Sequence, residues 1–270
     1  FCRNGKRISV GDTKVRFSIQ SISKIITLAV ALEICGFDQV FKKVGMEPTG
    51  DPFNSLMKLE NTDSSPYNPM INAGAIVVAS CLASEISFDT MLDTIRALCM
   101  DPDINLDKKV YHSEMSHISR NRAIAYLLES KGYIEKNKDV ENSLHFYVKM
   151  CSLSVTAESL AGLGLILAND GIHPDTGKRL LSSQAVKIVK TLMFTCGMYD
   201  GSGEFAVRVG IPSKSGVGGG ILSVVDGEMG IGIFGPALDK KGNSVAGECV
   251  LEYMSHELHL HMFDPQRHTL

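Results

Sequence analysis

The sequence predicts an α/β fold of the α+β kind, an antiparallel sheet flanked by helices with a helical subdomain inserted. Three observations carry this. Short β-type runs crowd the last third of the chain, and two of them flank Asp226-Gly227, a strong hairpin signal. The middle of the chain reads as one helix after another. Residues 17–33 (FSIQSISKIITLAVALE) form a helix too apolar to face water, so the rest of the chain must be arranged around it. The expected division is residues 1–60 with 180–270 for the sheet-containing part and 61–179 for the mainly helical subdomain.

Residues 1–16 carry Asn4-Gly5, a tight-turn signal between short strand-like pieces. In 17–33, Ser21 marks the helix start. Ile22, Ile25, Ile26, Ala29, Val30 and Leu32 supply its buried faces, and Gly36 stops it. Residues 48–69 are polar and proline-punctuated and read as a loop, of a length that is usually functional inside a compact domain. Residues 72–83 and 88–100 read as helices, the first buried with small residues on one side. Residues 107–131 are helical in their second half, with Ala123, Leu127 and Leu128 inward. Helices over 140–150 and 157–169 follow, and Asn169-Asp170-Gly171 ends the run. After one more helix at 184–193 come strands at 205–209, 220–225 and 229–234. An amphipathic helix over 245–262 closes the chain.

A hydrophobic content of 44% with 21% charged residues describes a soluble globular protein with a substantial core. A net charge of −3 gives no reason to expect nucleic acid or an anionic membrane. The seven cysteines are scattered among apolar neighbours with no C-x-x-C, which points to reduced thiols in a cytoplasmic protein. No apolar run approaches the roughly 20 residues of a membrane-spanning helix. There is no signal-peptide pattern either, but the chain starts at Phe1 without a Met, which leaves targeting open.

Chemistry first suggests itself at Ser21 and Lys24. A spacing of three puts them side by side on a helix. A lysine held among apolar residues tends to lose its charge, and a neutral amine beside a serine hydroxyl is a nucleophile–base pair. The spacing alone is weak, because Ser55/Lys58 repeats it and about two matches arise by chance. Context separates them: Ser55/Lys58 lies in a polar stretch, Ser21/Lys24 in a buried one. A second cluster, SKSGVGGG at 213–220, precedes a strand, where its glycines let backbone approach a ligand and its N–H groups could join that of Ser21 in an oxyanion hole. Tyr199, in the turn at 196–201, could move a proton near the serine. His256, His259 and His261 do not form H-E-x-x-H and read as helix surface rather than metal ligands.

Taken together, QSISK at 20–24, NPMINAGA at 68–75, Ser113-Glu114 to Arg120-Asn121, CGMYD at 196–200 and KSGVGGG at 214–220 resemble the serine-dependent glutaminase family. The resemblance runs over essentially the whole chain with the motifs in order, and a bacterial member is expected. It implies the fold of serine β-lactamases and transpeptidases, whose landmarks are Ser-x-x-Lys at a helix start and Lys-[Ser/Thr]-Gly on a strand. It implies hydrolysis of free L-glutamine to L-glutamate and ammonia, with no metal or organic cofactor. By position, Ser21 matches the nucleophile, Lys24 its general base and Tyr199 a proton-transfer partner. Val217 matches the residue whose N–H completes the oxyanion hole. Asn72, Glu114, Asn121 and Tyr147 match residues that hold the amino-acid end of the substrate, with Ser113 behind Glu114, and Lys214 matches the strand lysine. The chemistry of glutamine agrees: Glu114 offers an anion to the α-ammonium, and Asn72, Asn121 and Tyr147 offer neutral donors to the α-carboxylate. The resemblance also implies a homo-oligomer, dimer or tetramer, and a pocket tyrosine from a segment ahead of residue 1.

Two other readings compete. A hydrolase of the same fold acting on a β-lactam or peptide would show a Ser-x-Asn motif in the middle helices, and Tyr147 in that region favours glutamine. A non-catalytic module would have lost Ser21 or Lys24, and both are present. The glutamine reading requires Ser21 and Lys24 to meet beside a hollow lined by Glu114 and Val217.

Overall fold

The structure is a computed structural model and describes residues 1–49, 65–136 and 138–267. Ser55/Lys58 and most of the 48–69 loop lie outside the described residues. The first half runs β1 (Phe17–Ser18), a 3-10 turn (Gln20–Ile22), α1 (Ser23–Ile34), α2 (Phe37–Phe41), α3 (Asn72–Leu82), α4 (Phe88–Leu98), β2 (Asn105–Leu106), α5 (Lys108–Ser116) and α6 (Ser119–Ser130). The second runs α7 (Val140–Cys151), β3 (Leu153–Val155), α8 (Ala157–Ala168), α9 (Ser183–Cys196), a 3-10 turn (Tyr199–Gly201), α10 (Ser202–Arg208), β4 (Ser213–Ser215), β5 (Gly220–Val225), β6 (Met229–Phe234) and α11 (Val245–Glu257).

Helix α1 is the centre. Every residue from Ser23 to Leu32 is buried, as an all-round apolar helix must be. It packs on α3, buried along its whole length, and on α9. Side-chain caps fix where the neighbouring helices begin. Ser87, Asp107, Asp139, Ser182 and Ser244 each accept from a first-turn N–H, and Thr156 with Ser159 forms a capping box. These caps satisfy N–H groups that would otherwise lack partners.

Strands β4, β5 and β6 form an antiparallel sheet in that order, with Lys214 opposite Leu222 and Val225 opposite Met229 across the Asp226-Gly227 turn. Helix α8 lies directly on it. A Cβ on Gly230 would sit 2.1 Å from Leu165 N, and one on Gly232 would sit 2.0 Å from Ala157 O, so only glycine lets the helix come this close. A second, small sheet has the order β1-β3-β2, with Phe17 opposite Val155. It anchors the chain just before Ser21.

Several expectations need correction. The predicted strand at 205–209 is helical instead: residues 205–208 lie in α10, with Val209 as its C-cap, and Phe205 joins a core cluster with Leu251. The 107–131 stretch is two helices, and Ala123 is exposed while Ile124, Ala125 and Leu128 turn inward. The last helix ends at Glu257 rather than near 262. Met262 N donates back to Gly210 O, which pulls the tail onto the body. Near the N-terminus, the sheet gains an isolated bridge between Cys2 and Met229 rather than a strand.

Candidate active site

The 3-10 turn delivers Ser21 and the first turn of α1 delivers Lys24. Lys24 Nζ lies 3.2 Å from Ser21 Oγ, 2.8 Å from Asn72 Oδ1 and 3.2 Å from Met70 O. The last two partners are carbonyl oxygens, which only accept. A neutral amine has two hydrogens, and these two acceptors take both. Ser21 Oγ, unlike these two, can donate, so its O–H can hand a proton to the amine's lone pair. The geometry therefore aims a base at the hydroxyl. Burial lowers the pKa of Lys24 from its usual 10.5 to about 8, against a smaller upward pull from the Cys151 thiol. Gln20 and Tyr199 both adopt left-handed backbone, φ +47 and +53, which strains a non-glycine residue by about 1–3 kcal/mol.

The other predicted residues gather around this pair. Asn72 Nδ2 donates to Asn121 Oδ1 at 3.1 Å. Gln20 Nε2, from the residue before Ser21, donates to Glu114 Oε1 at 3.1 Å. Tyr147 is buried, which pushes its hydroxyl pKa well above normal, and it hydrogen-bonds Cys151 one helical turn along. Burial raises Tyr199 to about 12, while hydrogen bonds with the Ser21 side chain and the Val217 backbone pull it back. Its hydroxyl thus sits between the serine and the expected oxyanion donor. Val217 is at the tip of the β4–β5 turn, pressed onto the Ser21 segment: a Cβ on Gly218 would lie 2.2 Å from Ser18 O. Lys214 is fully buried, donates to Gly197 O at 3.0 Å and Ser215 O at 2.6 Å, and stands 4.5 Å from the centre of the Tyr199 ring. Burial holds its pKa well below normal. Ser113 is exposed.

A cavity of about 310 Å³ is bordered by Met70, Tyr199, Asn68, Cys196 and Asp200. Glu114 and Val217 do not line it, so it is not the hollow expected from the sequence. Among the described residues, no group of His, Cys, Asp or Glu could hold a metal, and no helix is long and apolar enough to cross a membrane. His256 is exposed on α11, whereas His259 and His261 lie beyond its end.

Sequence reasoning missed Gln20, Cys151 and the Met70 carbonyl. Gln20 could have been found from its place beside Ser21. A backbone carbonyl and a thiol supplied from α7 leave no local signal. Ser119-Arg120-Asn121 was also passed over. It is itself a Ser-x-Asn triplet and presents Asn121 to Asn72, so this motif does not separate a glutamine site from a β-lactam or peptide site.

Comparison with known proteins settles the family. A family profile described as Glutaminase matches residues 1–263. A glutaminase of Fusobacterium nucleatum is 52% identical over 264 residues, 96% of this chain and 86% of that protein. One of Clostridioides difficile is 53% identical over 259 residues, 94% of this chain and 83% of its own. The crystal structure of a Bacillus glutaminase superposes with a TM-score of 0.91 at 41% identity, covering 97% of this chain and 91% of that one. A probable glutaminase from Bacillus subtilis, in complex with 6-diazo-5-oxo-L-norleucine, gives 0.86 at 37% identity over 97% of this chain and 84% of that one. The Bacillus enzymes have the serine β-lactamase-like fold, and this chain shares it. Matched along nearly its whole length and at half identity to bacterial relatives, the chain belongs to the glutaminase family.

Proposed function

We propose that this glutaminase hydrolyses free L-glutamine to L-glutamate and ammonia through a γ-glutamyl ester on Ser21. Neutral Lys24 takes the Ser21 proton as Oγ attacks the side-chain amide carbon. The oxyanion is received by the Ser21 and Val217 N–H groups, with the Tyr199 hydroxyl giving way at Val217. Lys24 then passes that proton to the departing nitrogen, directly or through the Tyr199 hydroxyl, as the C–N bond breaks. Water then adds to the ester as its proton passes to Lys24, and the Ser21 Oγ–carbon bond breaks as Lys24 returns that proton to Oγ, which releases glutamate and restores the neutral amine. The observation that carries this is Lys24 Nζ, buried and held by the Asn72 and Met70 carbonyl oxygens at 3.2 Å from Ser21 Oγ. The site then lies between the sheet-bearing part (1–60 and 180–270) and the helical part (61–179). A cytoplasmic dimer or tetramer belongs to the same reading, and sedimentation equilibrium would show the assembly.

Recognition of the amino-acid end falls to Glu114, Asn72, Asn121 and Tyr147. Glu114→Gln removes the anion opposite the ammonium while keeping shape. A charge-assisted hydrogen bond of roughly 1.5–3 kcal/mol predicts a KM raised at least tenfold, with kcat far less affected, in a coupled ammonia assay. An unchanged KM would remove Glu114 from the site. Gly218→Ala tests the oxyanion turn. Its new methyl must push the turn off Ser18, and a shift approaching 1 Å costs up to about a hundredfold in rate. Far-UV circular dichroism should stay unchanged while kcat falls.

A further inference from the structure

Helix α5 carries Glu114, yet none of its residues is fully buried. It hangs between the two-residue strand β2 and the turn at His117. Partly buried Tyr111 and Met115 pack it against the core. A polar tie joins it to another helix, with the Tyr111 hydroxyl 2.6 Å from His145 Nδ1 on α7. The protonated Tyr111 phenol pairs with the imidazole nitrogen, and which of the two donates is set by the His145 tautomer. Tyr111 precedes Glu114 by three residues and so lies on the same face of α5. His145 precedes Tyr147 by two on α7. The bond therefore joins the helix that presents the anion to the helix that presents the tyrosine. Around it stand His112, whose ring is 5.4 Å from that of Tyr111, and Glu141, one turn before His145 and held by Arg122 of α6 at 2.8 and 3.0 Å.

We propose that Tyr111 and His145 are positioning residues that fix the spacing of Glu114 and Tyr147, and with it the grip on the amino-acid end of glutamine. This rests on the reading of Glu114 given above. Neither residue touches the reacting atoms, so the effect belongs in KM rather than kcat.

The test is a double-mutant cycle on the full chain, with KM, kcat and Tm for Tyr111→Phe, His145→Ala, the double variant and His145→Asn. Each of the first two should raise the KM for glutamine about three- to tenfold, the range of one hydrogen bond, and leave kcat within twofold. The double variant should be no worse than either single one, because the same bond is already lost. His145→Asn keeps a polar atom near the place of Nδ1 and should restore most of the affinity. An unchanged KM in Tyr111→Phe overturns the proposal. So do single effects that multiply in the double variant, or a loss in kcat that tracks Tm. If Glu114→Gln raises KM while Tyr111→Phe does not, only this proposal falls. If Glu114→Gln leaves KM unchanged, the reading beneath it has failed as well.

Discussion

Ser21→Ala is expected to release ammonia from glutamine at least about ten-thousand-fold more slowly than the wild type, with KM and Tm little changed. The substitution removes the only atom proposed to bond to the substrate. It leaves the N–H donors and the amino-acid subsite, so some acceleration over water survives. The local fold should survive too. The 3-10 turn is held by Ile22 N to Ile19 O at 3.2 Å and by Ser23 Oγ to Gln20 O at 2.7 Å, neither of which uses the Ser21 hydroxyl. Comparable ammonia release by the variant would mean that another group is the nucleophile.

The pH profile should carry the next largest effect. Lys24 acts only when neutral, and its pKa is lowered to about 8. Activity is lost below that value, where the amine is charged. The measured kcat/KM should therefore climb roughly tenfold per pH unit up to about pH 8 and then level. Lys24→Arg should abolish the rise along with the activity, since a guanidinium does not deprotonate in this range. The position of the break discriminates among bases. Tyr199, raised to about 12, would place it far higher.

The strongest sequence signals proved to be those with a long period or rigid turn chemistry. Helix α1 was legible because no face of it could meet water, and the β5–β6 hairpin because Asp226-Gly227 fits a tight turn. The failures were short or non-local. FAVRV at 205–209 is too brief for its period to tell strand from helix, and contacts with α11 decided the matter. Strands β1, β2 and β3, of two or three residues each, carry no pattern at all. At the site, the Ser21–Lys24 pairing followed from a helical spacing of three together with the apolar context that set it apart from Ser55/Lys58. The glycine cluster around Val217 was legible as a source of backbone N–H donors, whereas Asn72, Glu114, Asn121 and Tyr147 come from four different places in the chain, and single-sequence physics offered no reason to bring them together. Their order alongside the other motifs supplied it.

One measurement bears most directly on the claim that the Ser21 hydroxyl is the nucleophile. The protein is treated with 6-diazo-5-oxo-L-norleucine, a glutamine-like diazoketone found in complex with the Bacillus subtilis relative, then digested and mapped by mass spectrometry. A nucleophile that displaces dinitrogen keeps a covalent label. The label should fall on Ser21, be blocked by glutamine, form more slowly below pH 8 and be absent from Ser21→Ala. A label on Cys151 or Lys24, with Ser21 unmodified in an inactivated enzyme, would contradict it.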